Sequence, residues 1–286
     1  MVATIQNTDV KQKDAPGAVV VAVTSRAVFE GGDVGDDVSG VGVAFPLLQA
    51  LQSVNRRLLE KDPAESLLFD VVLITTDSQQ QQQSARIVRS TRHHGLDVGR
   101  FCFSSQDFTE SLLSNQVNLF LSTDRSEALQ ASRGGVLSAL LERQVSSTEQ
   151  LRVMLCGDAV VRPAAGPAPP SQAAAQVPRR RGANTPIEGS SLSSTFGSRS
   201  FPPQSFSARL GEMRRRFGAA DSPLSIVLVT ASGGAESCGA ALRTLRSRGL
   251  AVDEAYCLAG APRSPIRSLL RPHFLLADDG VAGLED

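Results

Sequence analysis

The chain has 286 residues, with 29 Lys and Arg balancing 29 Asp and Glu, and a sequence pI near 6.8. That balance gives no bulk attraction to nucleic acid or to an anionic membrane, and no apolar run approaches the roughly 18 residues needed to span a bilayer. Cys102, Cys156, Cys238 and Cys257 show neither CxxC nor Cys/His metal spacing, so they read as the free thiols of a cytoplasmic protein.

Residues 1–17 are polar, with Lys11, Lys13 and Asp14. They lack the apolar core of a signal peptide and read as a disordered tail. Val19–Val23 is a short β-branched run, as expected of a strand covered on both faces. Phe45–Leu59 has apolar residues at helical spacing, with Pro46 tolerated in the first turn. Asp70–Thr75 predicts a second buried strand, Ser84–His94 a helix ended by Gly95, and Asn118–Ser122 a third strand. The run Gln79–Gln83 reads as a solvated loop.

A second unit starts at Leu151, with Val153–Cys156 as its first strand. Residues 162–205 follow, rich in Pro, Ala, Ser and Gly and holding 8 of the 15 prolines. Such a segment buries too little apolar surface to offset its chain entropy and reads as a disordered linker. The spacing then predicts a helix over Phe206–Phe217, a strand over Ser225–Thr230, helices over Ala235–Arg248 and Ile266–Leu270, and a last strand over His273–Ala277.

The two units repeat each other. Val71–Phe101 matches Ile226–Ala255, Val19–Phe29 matches Leu151–Val161, and Asn118–Asp124 matches His273–Asp279. Strands alternating with helices imply an α/β fold of two related Rossmann-like halves, residues 18–143 and 151–286, with mainly parallel sheets.

In the second half Asp158, Thr230, Arg263 and the pair Asp278/Asp279 fall at the carboxyl ends of successive strands or in the loops after them. Ligands of open α/β sheets bind at that edge. The residue types suit phosphoryl transfer. Carboxylates can hold Mg²⁺ or move a proton, Thr can donate to a phosphoryl oxygen, and Arg can offset its charge.

This pattern is similar to the haloacid dehalogenase superfamily. More closely, AVTSRAVF, GVAFPLLQAL, NLFLS, GDAV, LVTA, LRSRGL, DEAYCLAGAP and RPHFLLADD resemble the cytosolic 5′-nucleotidases of type I. The resemblance implies Mg²⁺-dependent hydrolysis of nucleoside 5′-monophosphates, AMP foremost, through an aspartyl-phosphate. It assigns Asp158 as the acid/base and a metal ligand, Thr230 and Arg263 as phosphate contacts, and Asp278 and Asp279 as metal ligands. It also suggests a homo-oligomer with a nucleotide effector, and no nucleic-acid or membrane partner.

The sequence departs from the family at several places. Cys156 stands where the family has its nucleophilic Asp, which removes the attacking carboxylate and a hard ligand for Mg²⁺. Arg263 stands for a Lys. The low-complexity linker fills the place of a cap, and the chain stops at Asp286 where the family adds a short strand. The expected activity is therefore impaired. The alternative is a non-catalytic, nucleotide-binding or oligomer-forming pseudoenzyme. Cys156 and Arg162 also satisfy Cys-x5-Arg, the spacing of cysteine-dependent phosphatases. Extended Val160-Val161, Pro163 after the Arg, and the repelling Asp158 suit that loop poorly.

In the first half Thr24 takes the place of Cys156, Arg26 that of Asp158, Thr75 that of Thr230 and Asp124 that of Asp278. Without paired carboxylates this half forms no phosphoenzyme. Arg26 could still hold an anion, so the half reads as structural or as a regulatory nucleotide site.

Overall fold

The computed structural model describes residues 2–11, 13–14, 17–30, 38–76, 84–104, 108–141, 147–157, 203–218, 221–231 and 234–276. In chain order the strands are β1 (Val2–Gln6), β2 (Val19–Thr24), β3 (Phe69–Thr75), β4 (Arg100–Ser104), β5 (Leu119–Ser122), β6 (Ser138–Leu140), β7 (Leu151–Cys156), β8 (Leu224–Thr230), β9 (Glu254–Cys257) and β10 (Phe274–Leu276). The helices are α1 (Ser25–Val28), α2 (Phe45–Lys61), α3 (Ser84–His93), α4 (Phe108–Ser114), α5 (Arg125–Arg133), α6 (Pro203–Arg215), α7 (Ala235–Ser247) and α8 (Ser264–Leu270).

The duplication is visible in the strand order. One sheet runs β1-β4-β3-β2-β5-β6 and the other β10-β7-β8-β9. Reading β2, β3, β4 and β5 as β7, β8, β9 and β10 superimposes the two orders. All pairings within the sheets are parallel except β1 with β4. The chain is thus an α/β protein of two related Rossmann-like, haloacid dehalogenase-like halves. Every residue of β2 and β3 is buried, as their largely apolar sequences require when helices cover both faces, and the one charged residue among them, Asp70, pairs with Arg100 at 2.6 Å.

The amino-terminal segment corrects the expectation of a disordered tail over 1–17. Val2–Gln6 pairs antiparallel with β4 from Val2↔Ser104 to Gln6↔Arg100. Asn7 then donates its side-chain amide to Val98 O at 2.9 Å and its backbone amide to Gly99 O at 2.9 Å. The physical reason is the edge of the parallel sheet. β4 would otherwise leave a row of open backbone groups, and the short mixed segment VATIQ satisfies them through its backbone. At the other boundary, α6 begins at Pro203, so the last residues of the expected linker are helical. Its other residues, 162–202, and Gln79–Gln83 lie outside the described residues.

The halves share one core. Val19, Val21 and Val23 of β2, Leu47, Leu51 and Leu58 of α2, Val153 and Leu155 of β7, and Phe206, Leu210 and Met213 of α6 belong to a single buried cluster. Charged contacts flank the same junction. Arg57 pairs with Asp221 at 2.9 Å, Arg216 with Glu65 at 2.6 Å, and Lys61 Nζ lies 5.1 Å from the Phe217 ring centroid. The exposed Arg57–Asp221 pair contributes at most about 1 kcal/mol, whereas each fully buried large apolar side chain contributes about 1.5–3 kcal/mol. Apolar burial therefore holds the halves together.

The sheets meet where β6 approaches β10, through an antiparallel bridge between Leu141 and Phe274. Next to it His273 is 3% exposed. Its Nδ1 accepts from the Arg152 backbone amide at 3.0 Å, which places the ring proton on Nε2, and Nε2 donates to Ser147 O at 2.9 Å. Burial lowers its pKa from 6.5 to about 4. The unfolded chain then takes up the proton first as pH falls. The stabilisation is complete above the unfolded value and declines through the window between 6.5 and about 4. The expected loss is about 2 kcal/mol by pH 5 and about 3 kcal/mol by pH 4. Thermal melts of wild type and His273→Asn at pH 7 and pH 5 check this. The wild type loses stability across the interval, and the variant, less stable at pH 7, shows a flatter dependence.

Candidate functional site

At the carboxyl edge of the second sheet, strand alternation decides where each side chain goes. Leu151, Val153 and Leu155 enter the shared core, while Met154 and Cys156 point to the opposite face. Cys156 ends β7, is 3% exposed, and belongs to an apolar cluster with Met154, Val227, Val229 and Leu275. Thr230 ends β8 and is fully buried. Its hydroxyl donates to Tyr256 O at 3.4 Å, long for an O–H···O bond.

Gly157 holds these two strand ends together. A Cβ added there would lie 2.4 Å from Thr230 Cγ2, 3.1 Å from Leu228 Cδ1 and 3.3 Å from Ala241 Cβ. Any side chain would push the turn after β7 away from Thr230. The loop after β9 is tied to the same edge, because Leu258 N donates to Thr230 O at 2.9 Å and Gly260 N to Ala231 O at 2.7 Å. That loop leads to Arg263, the partly exposed N-cap residue of α8. The fold thus brings Cys156, Gly157, Thr230 and the approach to Arg263 to one sheet edge. Asp158, Asp278 and Asp279 lie outside the described residues.

Strand register agrees with the match of Asn118–Asp124 to His273–Asp279, and not with Asp124 in the place of Asp278. Thr24 pairs with Ile74, the neighbour of Thr75, just as Cys156 pairs with Val229, the neighbour of Thr230. In the same frame Val23 pairs with Leu121 and Leu155 with Leu276. Leu121 therefore matches Leu276, and counting onward matches Asp124 to Asp279 and Thr123 to Asp278. A one-residue slip would turn every side chain of the strand to the wrong face.

The first-half edge is polar, and most of its groups are satisfied internally. Thr24 is 1% exposed, and its hydroxyl has no hydrogen-bond partner among the described residues. Ser25 Oγ and Thr75 Oγ1 are 2.9 Å apart. Arg26 Nη2 lies 3.0 Å from Asp124 Oδ2 and 2.7 Å from Glu127 Oε1. Thr76 donates to Glu127 Oε1 and Ser122 to Glu127 Oε2, each at 2.6 Å. The Ser126 hydroxyl, its backbone amide and the Arg26 charge hold Asp124 below the usual carboxylate range.

Of the two readings of the first half, this arrangement favours the structural one over Arg26 as an anion holder. Its guanidinium already faces two carboxylates, with which an arriving phosphate would have to compete. Glu127, Ser122 and Thr76 were not visible as site residues in the sequence. The signal that could have found Glu127 is its spacing from Asp124, Asp-x-x-Glu, a helix-start pattern. Here Asp124 does cap α5 through the Ser126 amide, but Glu127 turns to the neighbouring strand ends.

Among the described residues no group of three or more His, Cys, Asp or Glu could hold a metal ion. The donor at the end of β7 does not fit Mg²⁺, because Cys156 offers a soft sulfur inside an apolar cluster where a hard cation takes oxygen. Among the described residues no helix is long and apolar enough to cross a membrane.

A family model described as 5′-nucleotidase matches residues 32–285. The human protein "Cytosolic 5′-nucleotidase 1B" (Homo sapiens) is 33% identical over 246 residues, which cover 83% of this chain and 39% of that protein. The chain thus spans about two fifths of the length of this curated relative. No solved structure matches.

Proposed function

Because the chain belongs to the cytosolic 5′-nucleotidase type I family, we propose that its second half is a site for hydrolysis of nucleoside 5′-monophosphates, AMP-like, slowed by the loss of its nucleophile at Cys156. The observation that carries this reading is the junction of β7 and β8. The Cys156-Gly157 turn lies directly against Thr230 at the carboxyl ends of two adjacent parallel strands, the edge where α/β sheets take their ligands.

In this reading Asp158 protonates the leaving 5′-oxygen, Thr230 orients a phosphoryl oxygen, and Arg263 offsets its charge. The family implies a divalent cation. Asp158, Asp278 and Asp279 are the residues that would hold Mg²⁺, and the ion when bound would supply positive charge beside the phosphate. With no carboxylate at position 156 for attack, turnover falls by several orders of magnitude. The protein acts in the cytoplasm.

One observation favours a second reading, a nucleotide-binding pseudoenzyme. Cys156 is packed as an apolar side chain and the Thr230 hydroxyl is enclosed, as in a site that has been converted to packing. Phosphate release from AMP with Mg²⁺ separates the two. Hydrolysis predicts slow release by the wild type that Asp158→Asn abolishes. A folded wild type that releases no phosphate, yet melts higher with AMP, establishes the second reading instead.

A further inference from the structure

We propose that the strand-end edge of the first half is a two-carboxylate cation site occupied by the chain's own guanidinium, that of Arg26. A single nitrogen, Nη2, bridges Asp124 Oδ2 at 3.0 Å and Glu127 Oε1 at 2.7 Å. A small cation shared between two carboxylates would make the same contacts. The other side-chain contacts described for the two carboxylates come from neutral donors. Thr76 and Ser122 serve Glu127, and Ser126 serves Asp124. Those donors orient the carboxylates without cancelling their charge, and both ion pairs described for them run to Arg26.

Burial makes the neutralisation necessary. The Glu127 side chain is only 11% exposed, and a carboxylate so enclosed is unfavourable without a positive partner. The elements converging here also leave polar capacity unused. The Thr24 hydroxyl, at the end of β2 and two residues before Arg26 of α1, is 1% exposed and has no partner among the described residues.

Comparison with the second half sharpens the inference. Counted along the sequence from the matched strands, Arg26 corresponds to Asp158 and Asp124 to Asp279. One half thus carries a cation where the other carries a carboxylate. This inference rests on the first half alone and does not depend on the second half turning over a nucleotide. The site it identifies is of the hard divalent kind, with carboxylate and hydroxyl oxygens, and becomes available to such an ion when the Arg26 charge is removed.

The test is thermal melting of the full chain as wild type, Arg26→Gln, Arg26→Lys and the triple variant Arg26→Gln/Asp124→Asn/Glu127→Gln, each with chelator and with Mg²⁺ or Mn²⁺. Arg26→Gln is expected to melt about 3–8 °C lower than wild type in chelator. The divalent ion should recover about half of that loss, beyond any shift it causes in the wild type. Arg26→Lys, which keeps the charge, should show little of either effect. The triple variant should melt higher than Arg26→Gln in chelator and lose the extra ion response. An Arg26→Gln protein as stable as wild type would overturn the proposal. So would an ion response no larger than that of the wild type, or an equal response in the triple variant. If Arg26→Gln does not fold, a folded triple variant supports the proposal and an unfolded one overturns it.

Discussion

Phe274→Ala is expected to destabilise the protein by about 3–5 kcal/mol, and to do so for both halves in one transition. Phe274 is 2% exposed and lies in the cluster that contains β2, α2, β7 and α6. Its backbone pairs with Val153 on one side and bridges Leu141 of the first half on the other. Removing the ring deletes contacts on both sides of the junction at once, and close-packed surroundings relax only partly into the space. For a unit of this size each 1 kcal/mol moves Tm by about 2–4 °C, so the melt should drop by about 6–20 °C and stay a single step. Circular dichroism melts check this. Two separate transitions would show that the halves fold independently and that the shared cluster does not couple them.

Cys156→Asp is expected to raise phosphate release from AMP by on the order of 10³-fold or more, because it restores an attacking carboxylate. The gain comes with a loss of stability. The new carboxylate enters the cluster of Met154, Val227, Val229 and Leu275, and placing charge there costs about 3–5 kcal/mol if no partner meets it. Desolvation also raises the carboxyl pKa, so the restored activity should increase with pH as the group ionises. Cys156→Ser keeps the size without the carboxylate and should gain nothing. Phosphate release at several pH values, corrected for the folded fraction, distinguishes these outcomes.

The parts of the fold legible in the sequence share one property, strong apolar periodicity. β2, β3, β7 and β8 are buried β-branched or aliphatic runs, and α2 shows its core face at helical spacing with Pro46 in its first turn. β1 was not legible because its pairing answers the open edge of β4, a tertiary need that leaves little local pattern. β9 is short and largely exposed, so no burial pattern marks it. At the candidate site, strand alternation and the repeat located Cys156 and Thr230. The first-half network was hidden because Glu127 sits at an ordinary helix-start spacing. Its partners Ser122, Thr76 and Arg26 come from other strand ends, which only the folded topology brings together.

The central claim is that the second half retains a nucleoside monophosphate site whose missing component is the nucleophile at position 156. Its most direct test is phosphate release from AMP with Mg²⁺ by wild type, Cys156→Asp and Cys156→Ser, measured at equal folded fraction. The account predicts release by Cys156→Asp far above both others, and lost again in Cys156→Asp/Asp158→Asn. A folded Cys156→Asp protein that binds AMP yet releases phosphate no faster than Cys156→Ser would contradict it.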